Sequence, residues 1–368
     1  MRVDRPARVA IIGSGNVTDL YLTGTAMLPS VELAACADLD PERARALAAK
    51  GGFRASTVDE ILVDPTIDVV LVLTPPAAHA PVAMAAIAAG KQVYTEKPLA
   101  TSRADAQRVL EAAAQAGVRV GAAPDTFLGG GLQTARALID EGRIGSPLVA
   151  TAAVSHTGPE RWHLDPRIFY GPGGGPVLDV GPYYVTALVN LLGPVQAVAA
   201  VGRGRGSERL VATGPLAGTT VTAEVPTTVI GTLTFESGVI GSLFASFDTA
   251  GSRAPHLEIH GTAGSLSLGD PNRFDGEVRF RAIGSETWED VPLRFPSDVE
   301  RGIGLADMVD AIGSDRAHRA SGELAYHVLD VLLALEEATK TGRTETIASR
   351  VERPAPLEAG VTSSRRGS

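Results

Sequence analysis

The first third of the chain alternates short, continuously apolar runs with amphipathic ones. Residues 8–12, 31–37, 69–73, 92–94 and 118–122 read as strands, and residues 41–49, 80–89 and 102–116 between them read as helices. Strands that are apolar on both faces need cover on both sides, so the pattern predicts a parallel sheet flanked by helices. Past residue 130 the pattern changes. Residues 132–139 and 181–192 read as helices, stopped near Gly142 and at Gly193-Pro194. Residues 227–235, the turn Glu236-Ser237-Gly238 and residues 239–247 then read as a hairpin. Residues 256–260 and 265–268, joined across 261–264, read as a second. These runs predict a largely antiparallel sheet with one covered face, followed by a last helix at 321–341. The boundary falls near residues 124–130, at Pro124-Asp125-Thr126 and Gly129-Gly130-Gly131. It gives one domain over 1–125, a second over 126–352 and a Pro/Gly/Ser-rich tail, 353–368, expected to be loose.

Composition narrows the class of protein. Of 368 residues, 44% are hydrophobic and 20% charged, as in a soluble globular enzyme. A net charge of -9 without a basic stripe argues against a nucleic-acid partner. The single cysteine, Cys36, rules out an internal disulfide framework, and no Cys/His group has metal-binding spacing, so no metal is expected. No segment has the apolar length of a membrane span, and no charged segment followed by an apolar one opens the chain. The expectation is a cytoplasmic protein.

Three stretches carry chemistry. Gly13-Ser14-Gly15-Asn16-Val17-Thr18 follows the first strand and opens a helix. Glycines at the first two positions permit a tight turn and close approach to a pyrophosphate, and the helix start would hold the anion. Thr18 replaces the third glycine of the dinucleotide fingerprint, but Asp38 ends the second strand at the expected separation of about 20 residues. Gly13, Gly15, Asn16, Val17 and Asp38 are therefore candidate cofactor ligands. A carboxylate at 38 accepts from a ribose diol and repels a 2′-phosphate, which favours NAD. Arg43, one helical turn on, leaves NADP open.

Thr74-Pro75-Pro76-Ala77-Ala78-His79 and Thr95-Glu96-Lys97-Pro98 end two further strands. Ligands of a doubly wound sheet sit outside the carboxyl ends of its strands, so both loops should reach one crevice. His79 reads equally well as a cofactor contact or as a packed helix-start residue. In Gly173-Gly174-Gly175-Pro176-Val177-Leu178-Asp179-Val180-Gly181-Pro182-Tyr183-Tyr184, Asp179 and Tyr183 stand four apart, on one face of a helix start. Taken alone they also suit an N-capping aspartate and a core tyrosine.

Together these motifs resemble the Gfo/Idh/MocA family, named for glucose-fructose oxidoreductase and inositol dehydrogenase. The carriers are Gly13-Ser14-Gly15-Asn16, Glu96-Lys97-Pro98 and Asp179-Val180-Gly181-Pro182-Tyr183, and the likeness runs from about residue 7 to 350. It implies an α/β protein: an amino-terminal Rossmann domain and a carboxyl-terminal domain with an open, mainly antiparallel sheet through which a homo-oligomer, dimer or tetramer, forms. It implies that Lys97 is the catalytic lysine, that Asp179 contacts substrate hydroxyls, and that Thr74, Pro75, His79, Glu96, Arg161 and Trp162 fall where family members touch the cofactor. Many members have histidine where Tyr183 stands, often with aspartate three residues later, where this chain has Thr186. The tyrosine is similar to that of glucose-fructose oxidoreductase and the dihydrodiol dehydrogenases and weakens an inositol-dehydrogenase assignment.

The chemistry expected is hydride transfer between a nicotinamide and a secondary alcohol of a sugar or cyclic polyol. A phenol near pKa 10 becomes a usable base beside an ammonium group, which casts Tyr183 as the proton-transfer group and Lys97 as its partner. Equally, Lys97 is the base if burial keeps its amine neutral. The segment Arg161-Trp162-His163-Leu164-Asp165-Pro166 suits a sugar ring, with His163 and Asp165 as substrate contacts. Two alternatives stand: an NAD-dependent glycoside hydrolase that oxidises its sugar transiently, and a non-catalytic NAD-binding sensor.

Overall fold

The computed structural model describes residues 5–358 and resolves the chain into two compact units. The first begins with β1 (Ala7–Ile12), α1 (Thr18–Thr25), β2 (Val31–Ala37), α2 (Pro41–Gly51), β3 (Arg54–Ala55) and α3 (Val58–Val63). It continues with β4 (Val69–Val72), α4 (Pro76–Ala88), β5 (Gln92–Thr95), α5 (Arg103–Ala116) and β6 (Val120–Ala122). The six strands are parallel in the order β3-β2-β1-β4-β5-β6. This is the doubly wound dinucleotide-binding order, which reverses between β1 and β4. Val9, Ile11, Val69, Leu71 and Val93 are fully buried, as continuously apolar strands require.

The structure differs from the sequence pattern in two places here. β3 and α3 were not expected, although Thr57-Val58-Asp59-Glu60 is a capping box, with the Thr57 side chain on the Glu60 amide and Glu60 reaching back. Helix α4 starts at Pro76 rather than at residue 80. Pro76 sits in its first turn, where a missing amide costs nothing, and the helix accommodates Pro81 as well.

The second unit carries α6 (Gly130–Asp140), β7 (Pro147–Ser155), α7 (Arg167–Tyr170), α8 (Gly175–Asp179) and α9 (Gly181–Leu192). The strands β8 (Val195–Arg203), β9 (Glu208–Leu210), β10 (Thr220–Thr222), β11 (Thr228–Phe235) and β12 (Ile240–Ser246) follow. The last are β13 (Leu257–Gly261), β14 (Gly264–Leu268), β15 (Val278–Ala282) and β16 (Glu289–Asp290). With β17 (Glu345–Thr346), nine of them form a sheet ordered β16-β15-β14-β13-β7-β12-β11-β8-β17. Only the β7/β12 pair is parallel. Both expected hairpins are present, as β11/β12 and β13/β14.

One face of this sheet is covered. Val229, Gly231, Leu233, Leu243, Ala152 and Ile259 point into the core, and a Cβ on Gly231 would stand 2.6 Å from Leu335 Cδ2 of the helix Gly322–Thr341. Gly181 opens α9 against the same helix, where a Cβ would meet Leu332 Cδ2 at 2.7 Å. The opposite face shows Val149, Val201, Ile230, Thr232 and Ile240 to solvent.

Residues 296–329 return to the first unit and 330–356 to the second, where the sequence suggested one boundary. Buried Asp125 accepts from the amides of Gly302 (2.9 Å) and Gly304 (3.0 Å), tying this return to the first unit's last strand loop. Of the tail expected to be loose, Arg353 is held by Asn190 O (2.8 Å) and Asp140 (2.7 Å). Residues 359–368 lie outside the described ones.

Candidate functional site

The turn after β1 is built by backbone demands. Gly13 has φ +98°, and a Cβ there would stand 2.7 Å from the Leu73 carbonyl and the Thr74 amide, so only glycine fits between the two strand exits. At Gly15 a Cβ would touch only Leu73 O, at 3.7 Å, leaving open space above the turn. Asn16 is exposed and Val17 half-buried at the start of α1, which has no side-chain cap. An uncapped start leaves amides for an anion.

Asp38 is tied into this turn. Its Oδ2 accepts from the Ser14 amide (2.8 Å) and hydroxyl (2.6 Å), and its Oδ1 from the Asp40 amide (3.0 Å). Partial burial works to raise its pKa, but these donors, with the Arg43 charge, outweigh it and hold the carboxyl below the usual range. Arg43 itself donates to Ser14 O at 2.7 Å. Two buried hydroxyls beside the turn, Thr18 Oγ1 and Thr74 Oγ1, have no partner among the described residues. Turn, uncapped helix start and unpartnered hydroxyls fit a dinucleotide pyrophosphate.

The exits of β4 and β5 are cross-linked through side chains. Pro75 is exposed and leads into α4. His79 is 1% exposed; its Nδ1 faces Pro98 O at 2.6 Å and its Nε2 faces Thr74 O at 2.8 Å. Both partners are carbonyl oxygens, so the imidazole lies between the two loops and each nitrogen that carries a proton donates to the loop it faces. Glu96 is buried, with Oε1 accepting from Tyr21 OH (3.0 Å) and Oε2 from the Lys97 amide (2.9 Å). Lys97 is half-buried and its peptide bond to Pro98 is cis. Among the described residues no His/Cys/Asp/Glu group is arranged to hold a metal ion.

In the second unit, Asp179 ends α8 and Tyr183 lies in the first turn of α9, with Val180 joining the two helices in near-helical geometry. The expected single helix start is therefore a helix–helix junction. Asp179 is half-buried and Tyr183 is 8% exposed. Arg161, which ends a 3₁₀ turn, Pro159–Arg161, and Trp162 after it are both exposed. Trp162 packs edge-on against His163 (5.5 Å) and near Phe169 (6.0 Å). His163 Nδ1 lies 2.8 Å from Asp165 O, and the Asp165 carboxylate is engaged by Arg167 at 2.5 and 2.7 Å. Arg167 first of all holds that carboxyl below its ordinary range.

One cluster had no warning in the sequence. Buried Glu160 accepts from Tyr170 OH and from Arg209 Nη2 (3.2 Å), and Arg209 Nη1 also reaches Asp248 (2.6 Å). Burial, then the Glu160 contact, pushes the Tyr170 phenol well up. Its members come from positions 160, 170, 209 and 248, a spacing that no local motif encodes.

Two family profiles match the chain. One, an oxidoreductase family with an NAD-binding Rossmann fold, covers residues 7–123; the other, a GFO/IDH/MocA C-terminal domain, covers 132–267. The 1,5-anhydro-D-fructose reductase of Ensifer adhaerens is 31% identical over 351 residues, which is 92% of this chain and 98% of the relative. The chain belongs to the Gfo/Idh/MocA family of oxidoreductases. Within it, levoglucosan dehydrogenase of Pseudarthrobacter phenanthrenivorans is 29% identical over 271 residues, 66% of each chain. The crystal structure of an NAD-binding oxidoreductase from Klebsiella pneumoniae superimposes with a TM-score of 0.80 at 26% identity, over 94% of this chain and 99% of that one. This family member's first domain is the NAD-binding one, and its Gly13 turn is the element that fits the cofactor.

Proposed function

We propose that the protein is an NAD-dependent dehydrogenase or reductase acting on a secondary alcohol, or the matching ketone, of a sugar or cyclic polyol. The observation that carries this reading is Lys97, half-buried on the β5 exit in the same parallel sheet whose β1 exit forms the Gly13 turn. Relatives that act on 1,5-anhydro-D-fructose and levoglucosan support the substrate class.

A bound nicotinamide supplies the hydride acceptor or donor. The protein's own residues do the rest. With the cofactor bound, Asp38 would orient the ribose end, and the start of α1 would hold the pyrophosphate. As hydride leaves carbon, the hydroxyl proton passes to Tyr183 or to Lys97, and Asp179 binds a neighbouring hydroxyl. Among the described residues no helix is long and apolar enough to cross a membrane, and we place the enzyme in the cytoplasm, where NAD is supplied. The uncovered sheet face bears an aligned patch free of charge: Val201 and Phe244 flank Ile230, and Val149 pairs with Ile240. A patch of this kind supports a homo-oligomer formed through that sheet.

The test is NADH formation against monosaccharides, anhydrosugars, inositols and glycosides, with NADP in parallel. Lys97→Met and Tyr183→Phe should each keep NAD binding and lower turnover at least about 10²-fold; full activity in both overturns the assignment. Release of an aglycone without net NADH would instead mark a glycoside hydrolase, and NAD binding without turnover of any compound a sensor.

A further inference from the structure

We propose that Tyr21 is a positioning residue for Lys97, acting through Glu96. The inference rests on the reading of Lys97 as the reactive lysine. Tyr21 lies in the helix that follows the Gly13 turn and is fully buried, so its hydroxyl cannot turn to water. It donates to Glu96 Oε1 at 3.0 Å, while Glu96 Oε2 accepts the Lys97 amide at 2.9 Å. One carboxylate is thus held at one end by the cofactor-side helix and at the other by the backbone of the lysine. The Glu96 amide, bonded to Val72 O at 2.9 Å, fixes the same residue to β4.

Glu96 has no rotational freedom while both oxygens are engaged, and neither does the peptide that carries Lys97. Burial, followed by the charges of Glu96 and Asp125 and the Tyr94 phenol, raises the Tyr21 pKa well above that of a free phenol, with Arg301 opposing. The phenol therefore stays a donor across the working range of a dehydrogenase. Tyr21→Phe removes only that donor. The Glu96 oxygen it leaves behind is buried, and we expect it to draw on the ammonium of the next residue, Lys97, in competition with Arg301, whose charge also reaches Tyr21.

Two readouts test this in the full-length protein. The chain has four lysines, Lys50, Lys91, Lys97 and Lys340, so trace labelling with acetic anhydride and peptide mass spectrometry reads each amine separately, with and without NAD. In Tyr21→Phe, Lys97 should acylate about threefold more slowly, equivalent to roughly half a pKa unit, while Lys50 and Lys340 stay unchanged. Turnover should fall about tenfold with KM and NADH affinity held, the signature of a misplaced group rather than a lost binding contact. Glu96→Gln, which removes the carboxylate charge and cannot hold both contacts, should lower turnover likewise but let Lys97 acylate faster rather than slower, a readout that stands even if Tyr21→Phe folds poorly. The double variant should cost no more than Glu96→Gln alone, because both act along one route.

Unchanged labelling and turnover in Tyr21→Phe, with Lys97→Met inactive, overturns the role of Tyr21 and leaves the lysine standing. Additive losses in the double variant overturn it too. An active Lys97→Met sinks the lysine reading itself, and the role of Tyr21 with it.

Discussion

Two buried glutamates, one in each unit, take a tyrosine hydroxyl and are put to different ends. Glu96 accepts from Tyr21, and its second oxygen takes the amide of the next residue, Lys97. Glu160 accepts from Tyr170, and its second oxygen takes the Arg209 guanidinium, which also holds Asp248 and Phe247 O. The first arrangement ties α1 to the turn that carries Lys97. The second fastens the 3₁₀ segment before Trp162, the β9 strand and the β12 exit to each other. A carboxylate with a cation builds architecture across the unit; a carboxylate shared with a lysine's own backbone sets the aim of that lysine.

The largest effect should come from removing the cation. Arg209→Met leaves Glu160 charged and buried, a loss of about 3–5 kcal/mol in urea unfolding, with NADH binding by the first unit retained. A loss below about 1 kcal/mol would mean that Glu160 is not held by charge. Next come the two phenols. Tyr170→Phe and Tyr21→Phe each strip one donor from a buried carboxylate, worth about 1–3 kcal/mol of stability. Turnover should then separate them, with the kcat loss concentrated in Tyr21→Phe.

The smallest effects are those of pH. Both phenols have raised pKa values, so the stability they contribute is present below about pH 10 and is lost as pH rises toward the folded value. Asp248 differs in sign: burial opposes it, but Thr228, Thr227 and Arg209 hold its carboxyl below the usual range. That stability is present above about pH 4 and is lost as pH falls through the folded value. Asp248→Asn should flatten the acid side of the stability profile and leave the alkaline side alone. A profile unchanged on the acid side would show that Asp248 adds nothing to the Arg209 network.

How far the sequence reaches depends on whether a contact is local. The Gly13-to-Asp38 unit was legible because glycines, strand and carboxylate stand within one βαβ repeat, each needed by backbone geometry. The capping box at Thr57-Glu60 is equally local. β7 was not legible. Its run Leu148-Val149-Ala150-Thr151-Ala152-Ala153-Val154 suits a helix as well as a strand, and it becomes a strand only by pairing with β12 on one side and β13 on the other.

The sequence by itself determined the doubly wound sheet, the dinucleotide turn, both hairpins and the lysine on the β5 exit, because each follows from residues a few positions apart. Tertiary structure alone decided what Tyr21 does, 75 residues from Glu96, and what Arg209 does, 49 residues from Glu160. The physical reason is burial. A side chain's partner is chosen when water is excluded around it, and no spacing along the chain records which distant group will be there.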